Sequence, residues 1–313
     1  MKYEAFVDDI TGRLAARLGT SYRVERTRMT RNNGVRRDAL TIIKKKEQLS
    51  PVIYPEEWYG MLLAGRTSED ICKEITRSIL CAGKAPRVDP GFLTDWNAAR
   101  ERVVCRLVGA ERNRERLSEV VHRRILDMAI VYYYMLETEE SMQAGVIIKN
   151  HILSGWGLTI EQLDQIARIN TRRLYPPVFA SLRKVMSDLL DTTADGFHGN
   201  DQAGPDLTQD LLREREDSPD PIYVLTNSSR MNGAYWICDE KVLEDIRIRI
   251  GDRYLILPSS IHECMVVPAG VKIEPADSAR MVREINRDCV DPEEVLTDSV
   301  YRYESGRGLV MAV

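Results

Sequence analysis

Apolar residues recur at helical spacing over Tyr3, Phe6, Val7, Ile10, Leu14 and Leu18, with Gly19 next, so the chain is expected to open on an amphipathic helix. The period then shortens. Residues 22–29 and 39–43 read as strands around RNNGVRRD, where Asn33-Gly34 marks a hairpin because both central positions of a type I′ turn need positive φ. An extended VIY after Ser50-Pro51 leads into a helix from near Pro55, and Thr67 or Ser68 caps another that carries Ile71, Ile75 and Leu80.

A hinge is expected over residues 85–95, which hold Pro86, Pro90 and Gly91. Beyond it, 102–108 reads as a strand and 112–117 is polar. Residues 125–136, with Tyr132, Tyr133 and Tyr134, read as a central strand rather than a buried helix because Ile, Val and Tyr dominate. Residues 144–149 read as a strand after the acidic turn ETEES, and Gly155-Trp156-Gly157 as a turn. Thr159 then caps a helix with Ile160, Leu163, Ile166 and Ile169 inward, and 181–190 forms a further helix. Residues 191–221 are rich in Asp, Gly, Pro and Thr and read as a polar linker or surface excursion, with at most a short helix around 207–212.

The clearest signals lie in 222–267, which read as strand, helix, helix, hairpin. Asp239 sits at an N-cap, Val242, Leu243, Ile246 and Ile250 follow at helical spacing, and Gly251 is the stop. Strands 254–257 and 264–267 flank the turn residues Pro258, Ser259 and Ser260. Pro275 starts a helix with Ala279, Met281, Val282 and Ile285 inward, and 300–303 with 309–313 close the chain as a hairpin. The expected fold is α+β, with small mixed or antiparallel sheets built from hairpins and covered by helices. Its expected units are 1–84, 96–190, the linker 191–221, and 222–313, the last able to pack with the middle unit as one domain.

Composition narrows the partners. With 313 residues, 43% hydrophobic, 29% charged and a net charge of −4, the chain is long enough for several cores and lacks the global positive field of a nucleic-acid or anionic-membrane binder. Arginines crowd residues 100–124, but Glu101, Glu111, Glu115 and Glu119 alternate with them, as on a salt-bridged solvated face. The basic residues of the first hairpin, Arg23 to Lys46, read the same way, as a charged edge. No signal-peptide core or membrane span is expected, which places the protein in the cytoplasm. Cys72, Cys81, Cys105, Cys238, Cys264 and Cys289 are scattered among apolar stretches and read as buried free thiols.

Much of this pattern resembles an uncharacterised bacterial family known as domain of unknown function 5688. The resemblance rests on RNNGVRRDALTI, SPVIYPEEWY, LDMAIVYYYML, WGLTIEQLDQIARINTRRLYPP, YVLTNSSRMNGAYWICDEKVLEDI, RYLILPSSIHE and DSVYRYE, and it covers nearly the whole chain. The last third is also similar to a second uncharacterised family of small cytoplasmic proteins from Gram-positive bacteria. Both resemblances imply a cytoplasmic α+β protein, and neither carries a reaction.

Candidate chemistry is sparse. His262-Glu263 lacks the second histidine of HExxH, because Cys264, Met265 and Val266 follow, and on the expected strand the two would face opposite ways. Neither a nucleophile elbow nor a phosphate-binding glycine loop appears, and no metal or cofactor is expected. Asn227, Ser259, His262 and Glu263 are the residues that could converge on a polar pocket at the end of the C-terminal sheet. Three readings follow, in order: a non-enzymatic protein acting through contacts with an unknown protein partner; an enzyme with a site assembled near those four residues; and an arginine-rich nucleic-acid binder.

Overall fold

The opening stripe forms α1 (Tyr3–Leu18), whose Phe6, Val7, Ile10, Leu14 and Leu18 are buried. It packs on a three-stranded antiparallel sheet of β1 (Tyr22–Thr30), β2 (Arg36–Lys44) and β3 (Val52–Ile53), beside α2 (Pro55–Leu63) and α3 (Ser68–Cys81). The computed structural model describes residues 1–44, 50–81, 90–136, 145–194, 222–271 and 274–313, with the side chains of 81, 90 and 189–194 set aside. The side chains of Cys81 and of the whole expected linker therefore fall outside the described ones, and Lys45, Lys46, residues 85–89 of the expected hinge, the ETEES turn and the expected helix around 207–212 lie outside the described residues. Leu40 of β2 and Ile71, Cys72 and Ile75 of α3 complete this first core.

A second sheet follows α4 (Trp96–Ala99). It pairs β4 (Val103–Gly109) with β6 (Met128–Met135), and on the far side of β6 lie β5 (His122–Ile125) and then β7 (Gly145–Ile147), with α5 (Arg114–Leu117) between β4 and β5. The expected single strand over 125–136 is thus a hairpin corner plus a strand: Ile125 ends β5, Leu126 turns at φ 55, and Met128 begins β6. Next come α6 (Asn150–Trp156), α7 (Ile160–Leu174), β8 (Pro177–Ser181) and α8 (Leu182–Ala194). Gly155-Trp156-Gly157 is the end of α6, stopped by Gly157 at φ 67, rather than a free turn. Thr159 forms the full capping box with Gln162.

The third sheet is antiparallel and six-stranded, in the order β13-β12-β10-β11-β9-β8. Its strands are β9 (Tyr223–Asn227), β10 (Tyr254–Pro258), β11 (Cys264–Pro268), β12 (Tyr301–Glu304) and β13 (Gly308–Met311). A 3-10 turn over Gly233–Cys238 and α9 (Glu240–Ile250), N-capped by Asp239, cover one face. On the other lies α10 (Pro275–Asp288), where Ala279 and Val282 meet Leu257, Val267 and Val300. One large cluster draws on the second and third sheets together, including Tyr132, Trp156, Tyr235, Trp236, Ile256 and Tyr301. The fold is α+β.

Two helices turn differently from their apolar pattern. Ile169 is 62% exposed while Leu163, Asp164, Ala167, Asn170 and Thr171 face inward, and on α10 Met281 and Ile285 are exposed while Ser278 and Asn286 are buried. Polar positions win because the neighbouring backbone needs them. Thr171 Oγ1 accepts the Cys105 N–H at 2.8 Å, and Asn170 Nδ2 donates to Arg100 O and Val103 O. Asp164 accepts from Tyr132 OH at 2.8 Å, from Arg168 Nε at 2.8 Å and from Arg123. Burial first, and then the Asp164 charge, pushes the Tyr132 hydroxyl well above its ordinary range, so it stays a donor.

Residues 291–299, between α10 and β12, act as a strap that several elements grip. Asn33 Nδ2 donates to Pro292 O and Val295 O at 2.8 and 2.7 Å, Asn32 Nδ2 donates to Glu293 O at 2.6 Å, and Arg31 and Arg37 pair with Glu293 and Asp291. Part of the basic hairpin is therefore a docked surface, not a solvated edge. Asn33 and Gly34 do adopt the expected positive φ, at 59° and 72°, but inside a longer loop closed by Arg31 and Val35. Asp127, at the β5–β6 turn, accepts from Thr297 Oγ1, Ser299 Oγ and Tyr301 OH, and Asp298 pairs with Arg112. The arginines of 100–124 thus reach distant carboxylates as well as neighbouring ones.

Of the cysteines, Cys72, Cys105 and Cys264 are buried and Cys238 partly so, but Cys289 is exposed, at the C-cap of α10. Burial pushes the Cys72 thiol up to about 11 and the Cys105 thiol up to about 12.

Candidate binding groove and the loop cluster at His262

Asn227 ends β9, and Ser259, His262 and Glu263 lie in the β10–β11 loop, so the structure brings the four sequence candidates to one end of the six-stranded sheet. His262 and Glu263 are in that loop and not on a strand. A turn residue cannot alternate across a sheet, so the opposite-faces expectation does not apply to them. Asn227 Oδ1 accepts from Ser229 N, Ser229 Oγ and Met231 N, while its Nδ2 donates to Met231 O at 2.8 Å. That side chain replaces the backbone ladder through a loop where Arg230 and Asn232 have positive φ.

His262 fastens this loop to its neighbour. Its Nδ1 accepts the Asn232 N–H at 3.1 Å, which leaves the ring proton on Nε2, 3.3 Å from Glu294 Oε1 on the strap. Its carbonyl accepts from Gly233 N and Thr226 Oγ1, both at 2.9 Å. Ser259 Oγ donates to Glu263 O, and Ser260 Oγ accepts the His262 N–H. Both ring nitrogens are engaged, so the arrangement is suited to holding three loops in register. His262→Ala is expected to cost about 1–2 kcal/mol, for two lost hydrogen bonds and an orphaned Asn232 N–H, measured by urea denaturation.

A different feature of the same sheet has an open shape. β10 and β12 pair only at Leu255–Arg302 and Ile256–Tyr301, and past Leu255 they part. The gap opens a groove of about 530 Å³ lined by Leu255, Val267, Val271, Pro275, Arg253 and Tyr303, among others. It continues around Arg253 and Pro268 into a shallower cleft of about 430 Å³ below Gly251. Its apolar side is formed by Leu255, Val267 and Val271 beside Pro275, where α10 begins. Arg302 at the wall is paired with Glu304, whereas Arg253 is exposed and makes no ion pair among the described residues. An apolar floor with one unneutralised cation at the rim can accept an apolar segment that carries a negative charge.

No sequence signal marked this groove, because it results from strand divergence and helix start rather than from a residue motif. Among the described residues, no group of three or more His, Cys, Asp or Glu is placed to hold a metal, and no helix is long and apolar enough to cross a membrane. A family model described as a family of unknown function, DUF5688, matches residues 3–305. No curated protein and no solved structure matches the chain.

Proposed function

The chain belongs to the DUF5688 family, a family of unknown function, and from that premise we propose that it is a non-enzymatic protein that works by binding a protein partner in the groove between β10, β12 and the start of α10. The groove's composition carries this reading. It offers apolar side chains from two strands and a loop, with Arg253 at the rim, which suits an extended segment whose apolar residues are followed by an Asp or Glu. At the opposite end of β10, Asn227 and Ser259 spend their side-chain hydrogen bonds within their own loops and His262 spends its on neighbouring ones, which fits a scaffold role. The same reading keeps the protein in the cytoplasm, where the buried Cys72, Cys105 and Cys264 stay reduced.

Peptide display against the full chain tests it. Selection is expected to enrich short segments that combine apolar residues with an acidic one, and Arg253→Glu should weaken their binding at least about tenfold, as reversal of one rim charge does. Leu255→Glu should abolish binding through the floor. Failure to enrich any sequence, or equal binding by both variants, would remove the groove from the mechanism.

A further inference from the structure

Each sheet edge among the described residues has a device against pairing with another chain, except one. β1 carries Arg23, Arg26 and Arg28, β3 is two residues long after Pro51, and β5 carries Arg123 and Arg124. β7 is only three residues long. On β4 the outward Cys105 N–H and Val103 O are occupied by Thr171 and Asn170 of α7. On β8 the first outward position is Pro177, which has no N–H, and the outward Phe179 O accepts from Arg249 at 3.2 Å.

β13 lacks all of these. From Gly308 to Val313 the chain reads GLVMAV, without a charged side chain or a proline. The register settles which backbone groups are free. Ala312 N donates to Val300 O, so Val310 and Gly308, opposite Arg302 and Glu304, also bond inward, and Leu309 and Met311 turn their N–H and C=O groups away from β12. Those groups have no hydrogen-bond partner among the described residues. Met311 and Val313 are also 42% and 51% exposed, so apolar side chains flank the free edge.

We propose that this edge pairs with a second copy of the chain, antiparallel along β13, joining two six-stranded sheets into one. An antiparallel edge is complementary to itself. With Met311 on the two-fold axis, it exchanges both backbone hydrogen bonds with the same residue of the second copy, and Leu309 falls opposite Val313. No charged side chain lies on the paired segment.

Sedimentation equilibrium of the full chain is expected to show a species of twice 35.8 kDa that dissociates on dilution. Met311→Pro removes the outward N–H at the axis without touching a bond to β12, so it should yield a folded monomer whose melting no longer depends on protein concentration. Met311→Lys sets like charges face to face at the axis and should do the same even if the proline variant folds poorly. A wild-type chain that stays monomeric at high micromolar concentration overturns the proposal. So does a dimer that survives in both variants.

Discussion

Asp164→Ala is expected to lower the unfolding free energy by about 3–5 kcal/mol, because it removes the one carboxylate that serves a buried tyrosine and two arginines at once. Asp164 is 4% exposed, on the inward face of α7, and Tyr132 is fully buried on β6. After the substitution the Tyr132 hydroxyl has no acceptor, and Arg168, which is partly buried, loses its counter-charge. With total stability of a domain at roughly 5–15 kcal/mol, such a loss leaves a marginal protein. Urea denaturation would show it as a fall in midpoint with little change in slope. Asp164→Asn keeps the shape and an acceptor for Tyr132, so it should fall between the two. A loss under about 1 kcal/mol for the alanine variant would mean that the arginines find solvent instead.

Gly233→Ala should be nearly as damaging for a steric reason. A Cβ there would lie 2.5 Å from Thr226 Oγ1, 2.6 Å from Asn227 N and 2.7 Å from His262 O. Two of these are backbone atoms, one at the end of β9 and one in the β10–β11 loop, held in place by Asn227 and His262, so neither can move without breaking hydrogen bonds. The expected cost is about 3 kcal/mol, at the upper end for overpacking. Gly155→Ala in α6 is the control. Nothing lies within 4 Å of its Cβ, and replacing a helical glycine should leave stability unchanged or raise it by about 0.5–1 kcal/mol. Thermal melts of the two alanine variants should therefore diverge in direction as well as size.

Local punctuation was the readable part of the sequence. Thr159, Asp239, Gly251 and Pro275 mark helix ends where the structure has them, because a cap is decided within a few residues. Helix phase was less legible. Ile169, Met281 and Ile285 follow the apolar rule yet face solvent, since α7 turns Asn170 and Thr171 toward the open edge of β4 and α10 turns Asn286 toward Thr297. Only the neighbour's unpaired backbone reveals that demand. Asn227, Ser259, His262 and Glu263 were legible as a group because turn chemistry clusters at strand ends. Their partners were not: Glu294 and Asn232 are reached only through the third dimension. The groove was invisible for the same reason, being a property of where β12 leaves β10.

The strap also has a kinetic side. Its bonds to the first hairpin join residues separated by about 260 positions, such as Asn33 to Val295. Contacts of that span close late, because loop entropy must be met before they contribute. On a chain made from the N-terminus onward, α1, the hairpin and α3 can share a core well before the strap is synthesised, so Asn32 and Asn33 wait for their partners. The left-handed tip at Asn33 and Gly34 is then the docking surface for a segment that arrives late. Docking of the strap becomes the step that ties the first core to the later sheets.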